Sequence, residues 1–120
     1  MGKVLIIEDD ALIAKVYKTR LEKDGHTVIT ADDGEKGLQA VKNEAPEVIL
    51  LDIMMPKISG LDLLEQLKSN TATAKIPVLV YSNLARLEEV EKAKKLGAEE
   101  FLSKSSLSPQ QVVAKIEKFL

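Results

Sequence analysis

Short apolar runs recur along the chain at Val4–Ile7, Thr27–Thr30, Val48–Leu51, Val78–Tyr81 and, more weakly, Glu100–Leu102. Three of them are unbroken apolar stretches, the pattern of strands covered on both faces. Between the runs the apolar period lengthens to that of a helix. Leu12, Ile13, Val16, Tyr17 and Leu21 mark one face of the first helix, and Leu38 with Val41 a weaker second. Leu61, Leu64 and Leu67 mark the third, and Leu84, Leu87, Val90 and Ala93 the fourth. Val112, Val113, Ile116, Phe119 and Leu120 mark the fifth. Gly25, Gly34, Gly60, Gly97, Pro46, Pro77 and Pro109 sit in or near the junctions, where turns belong. Five strands alternating with five helices predict right-handed βαβ units and a parallel sheet with helices on both faces. Such a sheet has a crevice at the carboxyl ends of its strands.

The length of 120 residues predicts one domain over 1–120. With 45% hydrophobic and 30% charged residues, the composition is that of an ordinary globule. A net charge of −2 gives no basic excess, so direct nucleic-acid binding is not expected. The absence of cysteine excludes disulfides, thiolate zinc sites and thiol catalysis. The first apolar run is too short for a signal peptide or a membrane span, and a cytoplasmic protein with no membrane contact is expected.

The polar residues at strand ends carry the chemistry. Glu8, Asp9 and Asp10 follow the first run, Asp52 the third and Ser82 the fourth, and Lys104 lies just past the fifth. In a parallel sheet all of these converge on one rim. Carboxylates brought together there resist joint ionisation. A hard divalent cation relieves the repulsion, and Mg²⁺ suits one or two carboxylates with waters and phosphate oxygens. A carboxylate can also attack phosphorus, forming an aspartyl phosphate, while a cation and a lysine neutralise the transferring group. Asp10 is expected to cap the first helix. His26, alone in a turn, is expected to be solvated and is given no role.

The run Leu5-Ile6-Ile7-Glu8-Asp9-Asp10, the segment Asp52-Ile53-Met54-Met55-Pro56 with Gly60 four residues on, Ser82 after Pro77–Tyr81, and Lys104 after Gly97–Phe101 together resemble the receiver domains of two-component response regulators. The resemblance covers essentially the whole chain. It implies a flavodoxin-like, doubly wound five-stranded sheet in the order 2-1-3-4-5. It makes Asp52 the phosphoacceptor and Mg²⁺ the cofactor. Asp9 and Asp52 would be metal ligands with the backbone carbonyl of Met54, and Glu8 would hold the metal through water or support a ligand. Ser82 becomes the switch hydroxyl, Lys104 the phosphate-pairing lysine and Phe101 the aromatic that changes rotamer. The phosphodonor would be a histidine kinase or histidine phosphotransfer protein. Output would pass to another protein, and a phosphorylation-dependent homodimer is left open. Such a switch phosphorylates and dephosphorylates itself and turns over no metabolite.

Three departures stand out. Ser105 follows Lys104 where most receivers have proline, Asn83 follows Ser82 where a smaller residue is common, and the loop 57–60 lacks an acidic residue before Gly60. The Lys104–Ser105 bond is expected to be trans, because a cis bond costs ~2.5–4 kcal/mol before a residue other than proline. The last helix would then start with Ser108 as N-cap and Pro109 at the first helical position. Met54 and Leu84 are expected to shield the phosphoryl group and lengthen its life. Two rival readings share the sheet. An aspartate-nucleophile phosphohydrolase would place a second aspartate where Met54 stands. A flavodoxin-type flavin carrier would need a phosphate-cradling loop in place of Glu8-Asp9-Asp10.

Overall fold

The computed structural model describes residues 2–55, 58–82 and 87–120. Strands and helices alternate throughout: β1 Lys3–Ile7, α1 Ala11–Lys23, β2 Thr27–Ala31, α2 Gly34–Glu44, β3 Val48–Asp52, α3 Gly60–Ser69, β4 Val78–Ser82, α4 Leu87–Lys95, β5 Glu100–Ser103 and α5 Pro109–Glu117. The strands form one parallel sheet in the order β2-β1-β3-β4-β5.

The two-residue period of the strands sorts the core into two layers. Val4, Ile6, Val48, Leu50, Leu79 and Tyr81 face α1 and α5, meeting Tyr17, Leu21, Val112 and Ile116. Leu5, Ile7, Ile49, Leu51, Val78 and Val80 face the other way, onto Val41 of α2, Leu63, Leu64 and Leu67 of α3, and Ala93 of α4. All five residues of both β3 and β4 are buried, so these central strands are covered on both faces. Each such Leu or Ile contributes roughly 1.5–3 kcal/mol by leaving water.

The helix faces depart from the sequence pattern. In α1 the buried residues are Ala14, Tyr17 and Leu21, whereas Leu12 and Val16 are 72% and 40% exposed. At about 100° per residue, Leu12 and Val16 lie on the side opposite Ala14. In α3 it is Leu63, with Leu64 and Leu67, that is buried, and Leu61 is half-buried. In α4 Leu87 is exposed and only Ala93 is buried; Leu84 lies outside the described residues. His26 is not solvated: its side chain is 9% exposed, its Nδ1 accepts from Gly2 N–H at 3.1 Å, and its Nε2 meets Glu117 Oε2 at 3.0 Å. The imidazole thereby joins the start of the sheet to the end of α5.

The caps follow expectation. Asp10 accepts from the amides of Leu12 and Ile13. Ser108 accepts from Gln111 N–H, and the Gln111 side chain answers to Ser108 N–H, with Pro109 opening the helix. Among the described residues no peptide bond is cis, so Lys104–Ser105 is trans.

One polar tie braces the turn into β4. Lys68 Nζ donates to the carbonyls of Ala74 at 3.0 Å and Ile76 at 2.8 Å, and burial holds its pKa below the ordinary lysine value. Hydrogen bonds from a charged donor contribute about 1.5–3 kcal/mol. Lys68→Met keeps the stem and removes the ammonium. It is expected to lower stability by about 1–2 kcal/mol in urea unfolding; an unchanged midpoint would contradict that role.

Candidate functional site

The carboxyl ends of β1, β3, β4 and β5 meet on one rim, and each is followed or closed there by polar residues. Glu8 follows β1 directly, with its amide still bonded to Ala31 O of β2, and is 2% exposed. Asp52 closes β3 and is 3% exposed. Ser82 closes β4 and is buried. Lys104 follows β5, its amide donating to Ser82 O at 2.9 Å.

The chain after β3 is held by close backbone packing. Gly60 opens α3 against the β3 end, where a Cβ would fall 2.3 Å from Ile53 Cα and 2.6 Å from Asp52 O. Any side chain would push the strand end or the helix away, so glycine is required by space.

The side chains converge. Lys104 Nζ donates to Glu8 Oε1 at 2.7 Å and to Asp52 Oδ2 at 3.2 Å. Met54 N–H donates to Asp52 Oδ1 at 2.9 Å, and Asp10 N–H to Glu8 Oε2 at 3.1 Å. Carboxylate oxygens of Glu8, Asp9 and Asp52 lie within 4.8 Å of one another. A cavity of about 300 Å³ opens over them, lined also by Asp10, Ile13, Met54 and Lys104. Three carboxylates against one ammonium leave an excess of negative charge beside open space. Hard oxygen donors at this spacing fit a small divalent cation, and they repel a bare anion.

The electrostatics record that crowding. Burial and the neighbouring Glu8 push the Asp52 carboxyl up to about 7, against the pull of Met54 N–H and Lys104. Burial alone would raise Glu8 as well. The hydrogen bonds it accepts from Asp52, Lys104, Tyr81 and Asp10 N–H outweigh burial and bring it down to about 2. Burial and Glu8 also raise Asp9. Burial opposes the charge on Lys104, but Glu8 and Asp52 win and raise its pKa. Without a cation, Asp52 thus holds its proton up to about pH 7 and donates it towards Glu8.

A pH dependence follows. In the unfolded chain Asp52 ionises near its ordinary 3.8, whereas the fold holds the proton to about 7. Across that window the folded state binds more protons, so metal-free stability falls as pH rises. Glu8 acts oppositely, losing its contribution only as pH drops from 4.5 towards 2. Metal-free protein is expected to unfold at lower urea at pH 8 than at pH 5, by on the order of 1–2 kcal/mol after solvent screening at the open cavity. Mg²⁺ is expected to reverse the loss, because its ligands bind it deprotonated. Equal midpoints at both pH values would contradict the shift.

The other expected site residues are placed as follows. Met54 is 54% exposed at the rim. Ser82 lies one residue beyond Tyr81, the register partner of Asp52, and by strand alternation on the face of Val80. Phe101 pairs with Val80 and packs half-buried against the layer beneath α2–α4. Asn83 and Leu84 lie outside the described residues, as do Pro56 and Lys57. The apolar pattern marks Tyr81 only as strand core, yet its hydroxyl donates to Glu8 Oε1 at 2.6 Å. The signal available was a hydroxyl in an otherwise aliphatic strand, directly before Ser82.

A doubly wound five-stranded sheet with a carboxylate cluster and a lysine at its carboxyl rim is the architecture of the two-component signalling switches. The family model described as response regulator receiver domain matches residues 4–117, and the chain belongs to that family. It is similar to the alkaline phosphatase synthesis transcriptional regulatory protein PhoP of Bacillus subtilis (strain 168), with 34% identity over 98% of this chain and 48% of that protein. The chain spans about half the length of the curated relatives it matches. Among solved structures, the chemotaxis protein CheY4 of Vibrio cholerae superposes with a TM-score of 0.91 at 25% identity, over 100% of this chain and 99% of that one. The Mn(2+)-bound form of response regulator Rcp1 superposes with a TM-score of 0.86 at 25% identity, over 99% and 94%. Among the described residues no helix is long and apolar enough to cross a membrane.

Proposed function

We propose that this chain is one receiver unit over 1–120 that accepts a phosphoryl group on Asp52 from a histidine kinase or histidine phosphotransfer protein, and thereby changes what it binds. The observation that carries the reading is Asp52 itself. It is a buried carboxylate within 4.8 Å of two more, with Lys104 at 3.2 Å and an open cavity above. Response regulator Rcp1, which shares this fold, has a Mn(2+)-bound form, and that supports a divalent ion at the acidic rim. Here Asp9, Asp52 and the Met54 carbonyl would hold Mg²⁺, with Glu8 behind them. Bound there, the cation would offset charge on the phosphoryl oxygens and lower the cost of ionising Asp52.

The chain's own steps are these. Asp52, ionised, attacks phosphorus through one Oδ; the bond from phosphorus to the donor nitrogen breaks, and the electron pair leaves with the donor imidazole. Lys104 is within reach of the new phosphoryl oxygens and exchanges carboxylate contacts for them. The Ser82 hydroxyl donates to a phosphoryl oxygen, and Phe101, on β5 shortly before Lys104, reports the shift to the surface through its rotamer. The output is a change in affinity for another protein or for a further segment of the same protein, since relatives are transcriptional regulators about twice this length. A metabolite-turning phosphohydrolase is less well served, because Met54 has no proton to give. A flavin phosphate would meet Glu8, Asp9 and Asp10. Incubation of the protein with a small phosphodonor such as acetyl phosphate, with and without Mg²⁺, tests the reading. A mass gain of one phosphoryl group only with Mg²⁺ is expected, and no gain under either condition would overturn it.

A further inference from the structure

Tyr81 has no part in the chemistry just described, yet the centre rests on it. β4 is buried along its whole length, and a phenol placed there loses its water. A buried hydroxyl is tolerated when it finds a strong partner. Tyr81 finds Glu8 Oε1 at 2.6 Å. Its ring also carries Lys104, whose Nζ stands 4.4 Å from the ring centroid. Behind it, Tyr17 meets the ring edge-on at 5.8 Å, which fixes its plane. A single side chain thus touches both the carboxylate beside the cation site and the lysine that pairs with phosphate.

Glu8 is saturated. Oε1 accepts from Tyr81 and Lys104, and Oε2 accepts from Asp10 N–H. If Lys104 turns to a phosphoryl group on Asp52, Glu8 loses a donor while remaining buried. A buried carboxylate stripped of its partner is costly. On Oε1, the oxygen Lys104 would leave, the Tyr81 hydroxyl supplies the bond that stays. We infer that Tyr81 is a positioning residue, whose hydroxyl holds Glu8 towards the cation site and lets Lys104 leave Glu8 for the phosphoryl group. The inference deepens the proposed function and rests on it.

Tyr81→Phe keeps the ring under Lys104 and deletes only the hydroxyl. Partners that orient metal-site carboxylates typically cost ~10–100-fold in affinity when removed. Magnesium titration by calorimetry is expected to show about a tenfold weaker site in Y81F than in wild type. Phosphorylation by acetyl phosphate slows in parallel, with the far-ultraviolet spectrum unchanged. In a Glu8→Gln background the same substitution is expected to shift Mg²⁺ affinity no more than about twofold, because the residue it acts through is already altered. The same loss in both backgrounds, or no loss in wild type, overturns the role. Tyr17→Phe gives an independent readout, since it leaves Tyr81 as the sole tyrosine in a chain without tryptophan. A phenol bonded to a carboxylate emits weakly, so Tyr81 emission is expected to change on adding Mg²⁺, with the calorimetric midpoint. Emission that ignores Mg²⁺ overturns the inference while calorimetric binding still supports the proposed function. Absence of Mg²⁺ binding by wild type overturns both.

Discussion

Asp52→Asn is expected to take up no phosphoryl group from any donor, while folding at least as well as the wild type. An amide is a far weaker nucleophile than a carboxylate, and no other carboxylate among the described residues has the same combination of placement and partners. Asp9 is exposed and Glu8 is engaged through both oxygens. Loss of activity through unfolding is not expected, because the substitution removes a charge that the crowded site already resists, as the raised pKa of Asp52 records. Above pH 7 and without metal the variant should therefore be the more stable protein. Intact mass after reaction, read beside urea unfolding of the same sample, checks both halves. A fully phosphorylated variant would remove Asp52 from its assigned role.

Asp9→Asn is expected to weaken Mg²⁺ binding by at least about tenfold, on the order of a hundredfold if Asp9 contacts the ion directly. Asp9 is exposed and has an oxygen within reach of both Glu8 and Asp52, so it costs little to recruit. The substitution keeps shape and an oxygen donor but removes a full charge. Calorimetric titration reads the change directly, and equal affinity in both proteins would contradict the placement. Stability should respond in the opposite sense, since Asp9 is itself pushed up by burial and by Glu8.

Much of this site was legible in the sequence because of how parallel sheets are built. Strands covered on both faces are apolar from end to end, so a carboxylate directly after one stands out. Glu8, Asp9 and Asp52 were visible on that ground and Lys104 only by its place past the fifth strand, and the sheet brings them together. The strand bounds agree within a residue, also for β2 and β5, which are only partly buried. The helix faces were harder. Leu12 and Val16 extend the apolar stripe of α1 beyond the arc the sheet covers, and nothing in the residues themselves marks where covering stops. In α3 the sheet takes Leu63 rather than Leu61, a difference of rotation that pattern alone leaves open.

Residues whose role depends on a distant partner were not legible. Tyr81 reads as strand core because tyrosine suits a strand, and only the fold shows its hydroxyl ending on a carboxylate 73 positions away. His26 reads as a solvated turn residue until Glu117, 91 positions on, is folded against it. Lys68 reads as one more helical lysine, yet it fastens the turn into β4. For Tyr81 and His26 the partner lies far along the chain, and for Lys68 it is a pair of backbone carbonyls in a turn. A local apolar pattern carries no record of either.

The central claim is that the carboxylate of Asp52, and no other group, becomes phosphorylated. Peptide mass mapping of the wild type, after reaction with acetyl phosphate and Mg²⁺ and chemical trapping of the acyl phosphate, tests it most directly. The trapped label is expected on Asp52 alone, at the end of the buried strand Val48–Asp52. A label on Glu8, Asp9, Ser82 or any other residue would contradict it.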